Sequence, residues 1–372
     1  MENKIKFLDL VKEYKSIKRE IDEAVKRVIK SGNFILKKEV EKFEKKIAEF
    51  CRVKYAIGTN SGTDALCLSL KVLGINKGDE VITTPFSFIA AAEVIANLGA
   101  KPVFVDIDIK TFNIDHSKIE EKITKKTKAI IPVHLFGQMA NMDKIMRIAK
   151  KYKLNVVEDA AQAIGAEYKT RKSGAIGNLG CFSFFPSKTL GAYGDGGMVV
   201  TKNKKLADKI RILRNHGSSL KEKYFHLILG INSRLDAIQA AILNVKFRHF
   251  KKWLKKRQQI AKYYTKRLKS VGDIIIPEIL PDRASTFHQY TIRIKYRDKL
   301  QQHLQKQEIP TIIYYPTPLH LQSCFKYLGY KKGDFPESEK AAKEVISLPI
   351  YPELSKKEQD FIINRIKEFY QK

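Results

Sequence analysis

Lys188 is the residue of this chain best placed for covalent chemistry. It lies in Cys181-Phe182-Ser183-Phe184-Phe185-Pro186-Ser187-Lys188-Thr189-Leu190-Gly191-Ala192-Tyr193-Gly194-Asp195-Gly196-Gly197, which reads as a buried strand running into an irregular loop of small residues. A lysine held among apolar neighbours is partly desolvated, which favours its neutral amine, and a neutral amine attacks an aldehyde to form a Schiff base. The competing reading is a solvated lysine on a surface loop, the ordinary fate of most of the 55 in the sequence. The choice between the two depends on what the rest of the chain supplies.

Three further stretches supply it. Asn60-Ser61-Gly62-Thr63-Asp64-Ala65 follows a strand and opens a helix. Its free amides, the hydroxyls of Ser61 and Thr63, and the close backbone approach that Gly62 permits would cradle a phosphate, although Ser, Thr and Asn before a helix are also ordinary caps. Asp159, in Glu158-Asp159-Ala160-Ala161-Gln162, follows another strand, at the edge where parallel sheets present their chemistry. A carboxylate bonded to a pyridine nitrogen keeps that nitrogen protonated, so the ring can accept electrons from an adjacent carbanion. Gln162 stands about one turn on and could touch the same ligand; a helix cap is the alternative role for Asp159. Phe86 and Phe88, in Thr84-Pro85-Phe86-Ser87-Phe88, could stack on a flat ring or pack in the core. A phosphate cradle, an aromatic platform, a carboxylate and a lysine are together the parts needed to hold pyridoxal phosphate. His134, His216 and His320 have no Asp, Glu or Cys partners at ligand spacing, so structural or substrate contacts are expected of them and no metal site. Gly194-Asp195-Gly196-Gly197 lacks the spacing of a dinucleotide fingerprint.

The elements that must position these groups follow from hydrophobic periodicity. Helices are expected over 13–30 and 37–50, and then short β-branched runs at 55–57, 80–82, 102–105, 129–133, 155–157, 182–184 and 198–200 interleave with helices over 63–73, 87–98, 142–152 and 204–213. Strands separated by helices require crossover connections, hence a mostly parallel sheet covered on both faces, an α/β domain. A long helix over 236–269 then leads to a strand at 289–295, a proline-punctuated loop over 310–318 and helices over 298–307, 336–346 and 355–370. The expected division is a large domain over 1–245 and a smaller α+β domain over 246–372.

Lys+Arg 70 against Asp+Glu 40 leaves a net charge of +30, which suits nucleic acid, anionic lipid surfaces or anionic small substrates. The excess is mostly lysine spread over helix faces, with no basic stripe interleaved with aromatics, so no nucleic-acid partner is expected. The four cysteines form no CxxC pair, pointing to a reducing compartment without disulfides. No apolar run approaches a membrane-spanning length and the N-terminus has no signal-like apolar stretch, so no membrane insertion and a cytoplasmic location are expected.

The segments 60–66, 84–88, 157–162 and 183–197, together with Asn232-Ser233-Arg234-Leu235-Asp236, resemble the DegT/DnrJ/EryC1/StrS family of nucleotide-sugar aminotransferases, in order and over essentially the whole chain. The resemblance implies the fold type I, aspartate aminotransferase-like architecture of pyridoxal 5'-phosphate (PLP) enzymes and a homodimer with active sites at the subunit interface. It further implies Lys188 as the covalent anchor and general acid/base, Asp159 on the pyridine nitrogen, Gln162 on the ring hydroxyl and Phe88 stacked on the ring. Gly62, Thr63 and Ser183 would hold the phosphate, and Asn232 would reach the neighbouring subunit's cofactor. The implied reaction is transamination from L-glutamate through pyridoxamine phosphate to a keto-sugar nucleotide. Relatives with histidine in place of Lys188 are dehydratases, so the lysine indicates amino transfer. Some members are labelled regulators, which makes a DNA-binding role the non-enzymatic alternative. The stretch 314–322 resembles the subgroup that aminates C3 of 3-keto sugars, with Arg234, Tyr314, Tyr315 and His320 as candidate sugar contacts. Uronate-acting relatives carry histidine where this chain has Tyr314, so UDP-3-keto-N-acetylglucosamine, on the way to lipid A or other surface polysaccharide, is expected ahead of the uronate or a dTDP-3-keto or 4-keto 6-deoxyhexose.

Overall fold

The computed structural model describes residues 5–222 and 224–371. The N-terminal amphipathic stretch forms α1 (Leu10–Ser16) and α2 (Lys18–Ser31), broken at Ile17 where the expected helix over 13–30 was continuous, and α3 (Lys38–Cys51) follows. Then come β1 (Tyr55–Thr59), α4 (Gly62–Val72), β2 (Glu80–Thr83), α5 (Ala90–Asn97), β3 (Lys101–Phe104), β4 (Thr127–Ile130), α6 (Met142–Tyr152) and β5 (Asn155–Asp159). A short hairpin, β6 (Glu167–Tyr168) and β7 (Arg171–Lys172), precedes β8 (Leu179–Ser183), β9 (Gly197–Thr201) and α7 (Lys204–Leu213).

Seven strands form one sheet in the order β1-β9-β8-β5-β4-β2-β3, parallel from β8 to β3, with β9 antiparallel to both β1 and β8. The β8–β9 connection carries Lys188 with no intervening helix, and those two strands pair antiparallel; α5 and α6 make the crossovers of the parallel pairs β2–β3 and β4–β5, while β5 reaches its parallel neighbour β8 through the β6–β7 hairpin. Successive residues alternate between two cores: Ile82, Val156, Phe182 and Val200 pack with the N-terminal helices, while Val81, Val157, Cys181 and Val199 pack with α4, α5 and α7. Burial on both faces is why these strands read as near-continuous apolar runs.

The 32-residue helix α8 (Ala237–Leu268) passes unbroken from the first core, which takes Ala237 to Trp253, into the C-terminal core, which takes Ile260 to Leu268; the expected division at residue 245 falls inside it. The C-terminal part adds β10 (Arg283–Ala284), β11 (Tyr290–Arg293), α9 (Arg297–Lys306), α10 (Pro336–Glu344), β12 (Val345–Leu348) and α11 (Lys356–Gln371). β10 completes a small sheet with β6 and β7, and β11 pairs antiparallel with β12. The helix expected over 336–346 therefore stops at Glu344, because Val345 and Ile346 are β-branched and gain a ladder against Arg293 and Ile292.

β5 is tied down by the fully buried Glu158. Its carboxylate accepts from the amides of Gly174, Ile176 and Gly177 at 2.9, 2.7 and 2.7 Å and lies 2.9 Å from Nε2 of His134. Burial pushes this carboxyl up, but His134 and the amides of Gly177 and Ile176 outweigh it and hold the group below its ordinary value. Glu158 thus clamps the loop after β7 beneath the strand that presents Asp159. Glu158→Ala would leave three amides and Nε2 of His134 unpaired. The expected loss is about 3–5 kcal/mol, read as a lower midpoint in guanidinium unfolding.

Candidate active site

The loop between β8 and β9 closes on itself. Phe184 N donates to Gly196 O at 2.7 Å, Ala192 N to Phe184 O at 2.7 Å and Lys188 N to Phe185 O at 2.8 Å. A Cβ at Gly191 would sit 2.3 Å from Pro186 O, so the fold of the loop needs glycine there. Lys188 is partly buried, its amine makes no hydrogen bond or ion pair among the described residues, and burial lowers it to about 8 against the opposing charge of Asp159.

Asp159 ends β5, next to β8 in the sheet, and is buried. Burial raises its carboxyl; the Ala161 amide, which donates to Oδ1 at 3.1 Å, and Lys188 pull the other way. Gln162 is buried too, donating from Nε2 to the Tyr315 hydroxyl at 2.9 Å while its Oε1 has no partner among the described residues. Tyr315 therefore belongs to the Gln162 side of the site, a contact that its position in the sequence gave no means of finding. The two candidate aromatics separate cleanly. Phe86 is fully buried among Phe112, Phe136 and Tyr315, whereas Phe88 is 57% exposed and available for a flat ligand.

The phosphate candidates converge from three elements. Ser61 caps α4 by accepting from Asp64 N at 3.0 Å, and the first-turn amides of Gly62 and Thr63 have no intrahelical acceptor. A Cβ on Gly62 would meet Ser183 Cβ at 2.7 Å, and one on Gly197 would meet Ser61 O at 2.1 Å. The helix start, the end of β8 and the start of β9 thus touch, and only glycine permits it.

The remaining candidates are placed as follows. Asn232 is exposed, on a backbone bridge to Asn215, and its side chain makes no hydrogen bond among the described residues. Arg234 donates to Asn215 Oδ1 at 2.9 Å. Tyr314 is half-buried next to Tyr315, with its hydroxyl raised by burial. His320 is buried against Phe335, its Nε2 3.1 Å from Glu339, which also accepts from Gly333 N at 2.6 Å. The structure thus packs His320 in a small aromatic cluster, with the neighbouring Leu319 N donating to Pro85 O at 2.7 Å. His134 likewise serves Glu158.

These residues fit PLP: a partnerless amine that burial keeps near neutrality, a buried carboxylate, an orphaned buried amide oxygen, an uncovered aromatic ring, and a cradle that a single Cβ would fill. The pattern also matches known proteins. The model of the DegT/DnrJ/EryC1/StrS aminotransferase family matches residues 15–367. A "pleiotropic regulatory protein" of Geobacillus stearothermophilus is 52% identical over 98% of this chain and 98% of its own. The UDP-2-acetamido-2-deoxy-3-oxo-D-glucuronate aminotransferase of Pseudomonas aeruginosa is 45% identical over 94% of this chain and 96% of its own. The crystal structure of S. venezuelae DesV superposes with a TM-score of 0.97 at 39% identity, covering 99% of both chains. Solved members of the same group hold the cofactor as PLP or as pyridoxamine phosphate.

Two expectations follow. Because the Lys188 amine is nucleophilic only when neutral, the rate of PLP capture by apoprotein, followed by absorbance, should rise about tenfold per pH unit below about 8 and level off above it. Gly62→Ala should weaken PLP binding by at least about tenfold, measured by equilibrium dialysis, because its methyl group must displace Ser183 from the cradle.

Proposed function

The chain belongs to the DegT/DnrJ/EryC1/StrS aminotransferase family and is a PLP-dependent enzyme, and on that premise we propose that it transfers an amino group from L-glutamate to the C3 keto group of a UDP-linked sugar. The observation that carries this reading is the pairing of a neutral-leaning amine at Lys188 with a buried carboxylate at Asp159, at the ends of adjacent strands.

When bound, PLP supplies an electron sink for the pair of electrons left on a deprotonated carbon. Lys188 would hold the cofactor covalently through Nζ and, as a free amine, would carry the proton of the donor α-carbon at that same nitrogen. An amine lowered to about 8 is close enough to neutrality both to accept and to return that proton. Asp159 keeps the pyridine nitrogen protonated; its own burial makes a lone carboxylate costly, so a cationic ring is its natural partner. Gln162, braced by Tyr315, offers its free amide oxygen to the ring hydroxyl. Phe88 would cover one ring face, and Gly62, Thr63 and Ser183 would hold the phosphate.

Asn232 completes the cradle of a neighbouring subunit. The large, more than half-exposed side chains of Leu220, Tyr224, Phe225, Leu227 and Leu229, close by in sequence, support a partner that covers them. The 3-oxo sugar named for the P. aeruginosa relative supports C3 as the site of amination. Tyr314, where uronate-acting relatives have histidine, favours UDP-3-keto-N-acetylglucosamine over the uronate, with Arg234 and Tyr315 as its other contacts.

Lys188→Ala should lower turnover by at least about a thousandfold; a purified variant with unchanged rate would refute the assignment. In a panel of keto-sugar nucleotides with glutamate, the highest kcat/KM is expected for UDP-3-keto-N-acetylglucosamine. Activity confined to 4-keto sugars would overturn C3. A DNA-binding regulator would instead show salt-sensitive duplex binding with no cofactor absorbance.

A further inference from the structure

The N-terminal segment runs as a strap across both halves of the molecule and touches both loops of the site. At one end Ile5 and Leu8 pack against the C-terminal core. At the other, Tyr14 meets Tyr193 edge-on at 6.1 Å, and Glu13 lies 2.6 Å from the buried Lys246, whose ammonium sits 4.7 Å from the Tyr193 ring centre. Tyr193 is in the loop of Lys188. The turn between is fixed by Asp9, which caps α1 by accepting from Lys12 N at 2.9 Å.

Between these anchors, Phe7 does something different from its neighbours. It joins none of the apolar cores; its ring contact is with Tyr314, at 6.3 Å between centroids and 55° between planes, within the range of an attractive tilted pair. Tyr314 in turn lies 5.7 Å from the Tyr315 ring, and the Tyr315 hydroxyl accepts from Gln162. Among the described residues, the ring contact of Phe7 toward the site is the one with Tyr314.

We propose that Phe7 is a positioning residue for the half-reaction that consumes the keto sugar: it holds Tyr314 as the wall against which the acceptor lies. This rests on the nucleotide-sugar reading above. Donor chemistry, which needs Lys188 and Asp159 but not the Tyr314 wall, is independent of it.

The two half-reactions can be followed separately by cofactor absorbance, with L-glutamate for the first and UDP-3-keto-N-acetylglucosamine for the second. Phe7→Ala should raise KM for the sugar by about 3- to 10-fold, with kcat and the glutamate half-reaction within about twofold of wild type. Phe7→Tyr, which keeps the ring, should restore the wild-type KM. Phe7→Leu, which keeps apolar bulk for folding, should behave like Phe7→Ala. An equal loss in both half-reactions would show a merely structural tether and overturn the proposal, as would an unchanged sugar KM in Phe7→Leu. A wild-type enzyme that turns over glutamate but is inert toward every nucleotide sugar would instead remove the reading underneath, and the proposal with it.

Discussion

An amine and a carboxylate sharing one poorly solvated site is the constraint on which this structure depends. Left alone, burial drives Lys188 toward neutrality and raises the Asp159 carboxyl, and each partly offsets the cost of the other. A protein that only needed stability would replace such a pair with apolar side chains. Keeping it requires rigid backbone on both sides, so that neither group can swing out to water. Parallel strands provide this: β5 and β8 are adjacent, covered on both faces, and run to the same edge of the sheet.

The supports around the pair follow from the same need. Glu158, one residue before Asp159, points to the opposite side of the strand and is satisfied by three backbone amides and His134, so β5 is pinned from beneath while Asp159 stays available above. The loop carrying Lys188 is closed by its own backbone hydrogen bonds and admits no Cβ at Gly191. Gly62 and Gly197 let three chain segments approach more closely than any side chain allows, which leaves backbone amides exposed at the start of α4.

The second half of the molecule is coupled to the first by continuous elements. α8 belongs to two cores, and the strap from Ile5 to Tyr14 spans the same two parts. Tyr315 and Thr286, both from the C-terminal half, bond to Gln162 in the first half, so the cofactor side and the substrate side of the site are built across that junction. A reaction that binds two different substrates in turn at one place benefits from walls that are braced independently of its reacting groups.

Much of this was legible in the residues themselves. Alternation of apolar runs with helical periods specified the α/β sheet and all seven of its strands, because burial on both faces leaves an unmistakable apolar signature. The types of Lys188, Asp159, Gln162 and the Asn60–Thr63 turn, each at or near a strand end, pointed to PLP as the cofactor, since few other ligands want those four parts. Only the tertiary structure buried Phe86 and exposed Phe88, gave Tyr315 to Gln162, buried His320 against Glu339, and stopped α10 at Glu344 in favour of a strand. Those outcomes depend on partners more than a hundred residues away in some cases, and on which of two similar side chains meets solvent. Local sequence encodes periodicity and chemical type; it carries no record of which distant atoms will fill the space beside them.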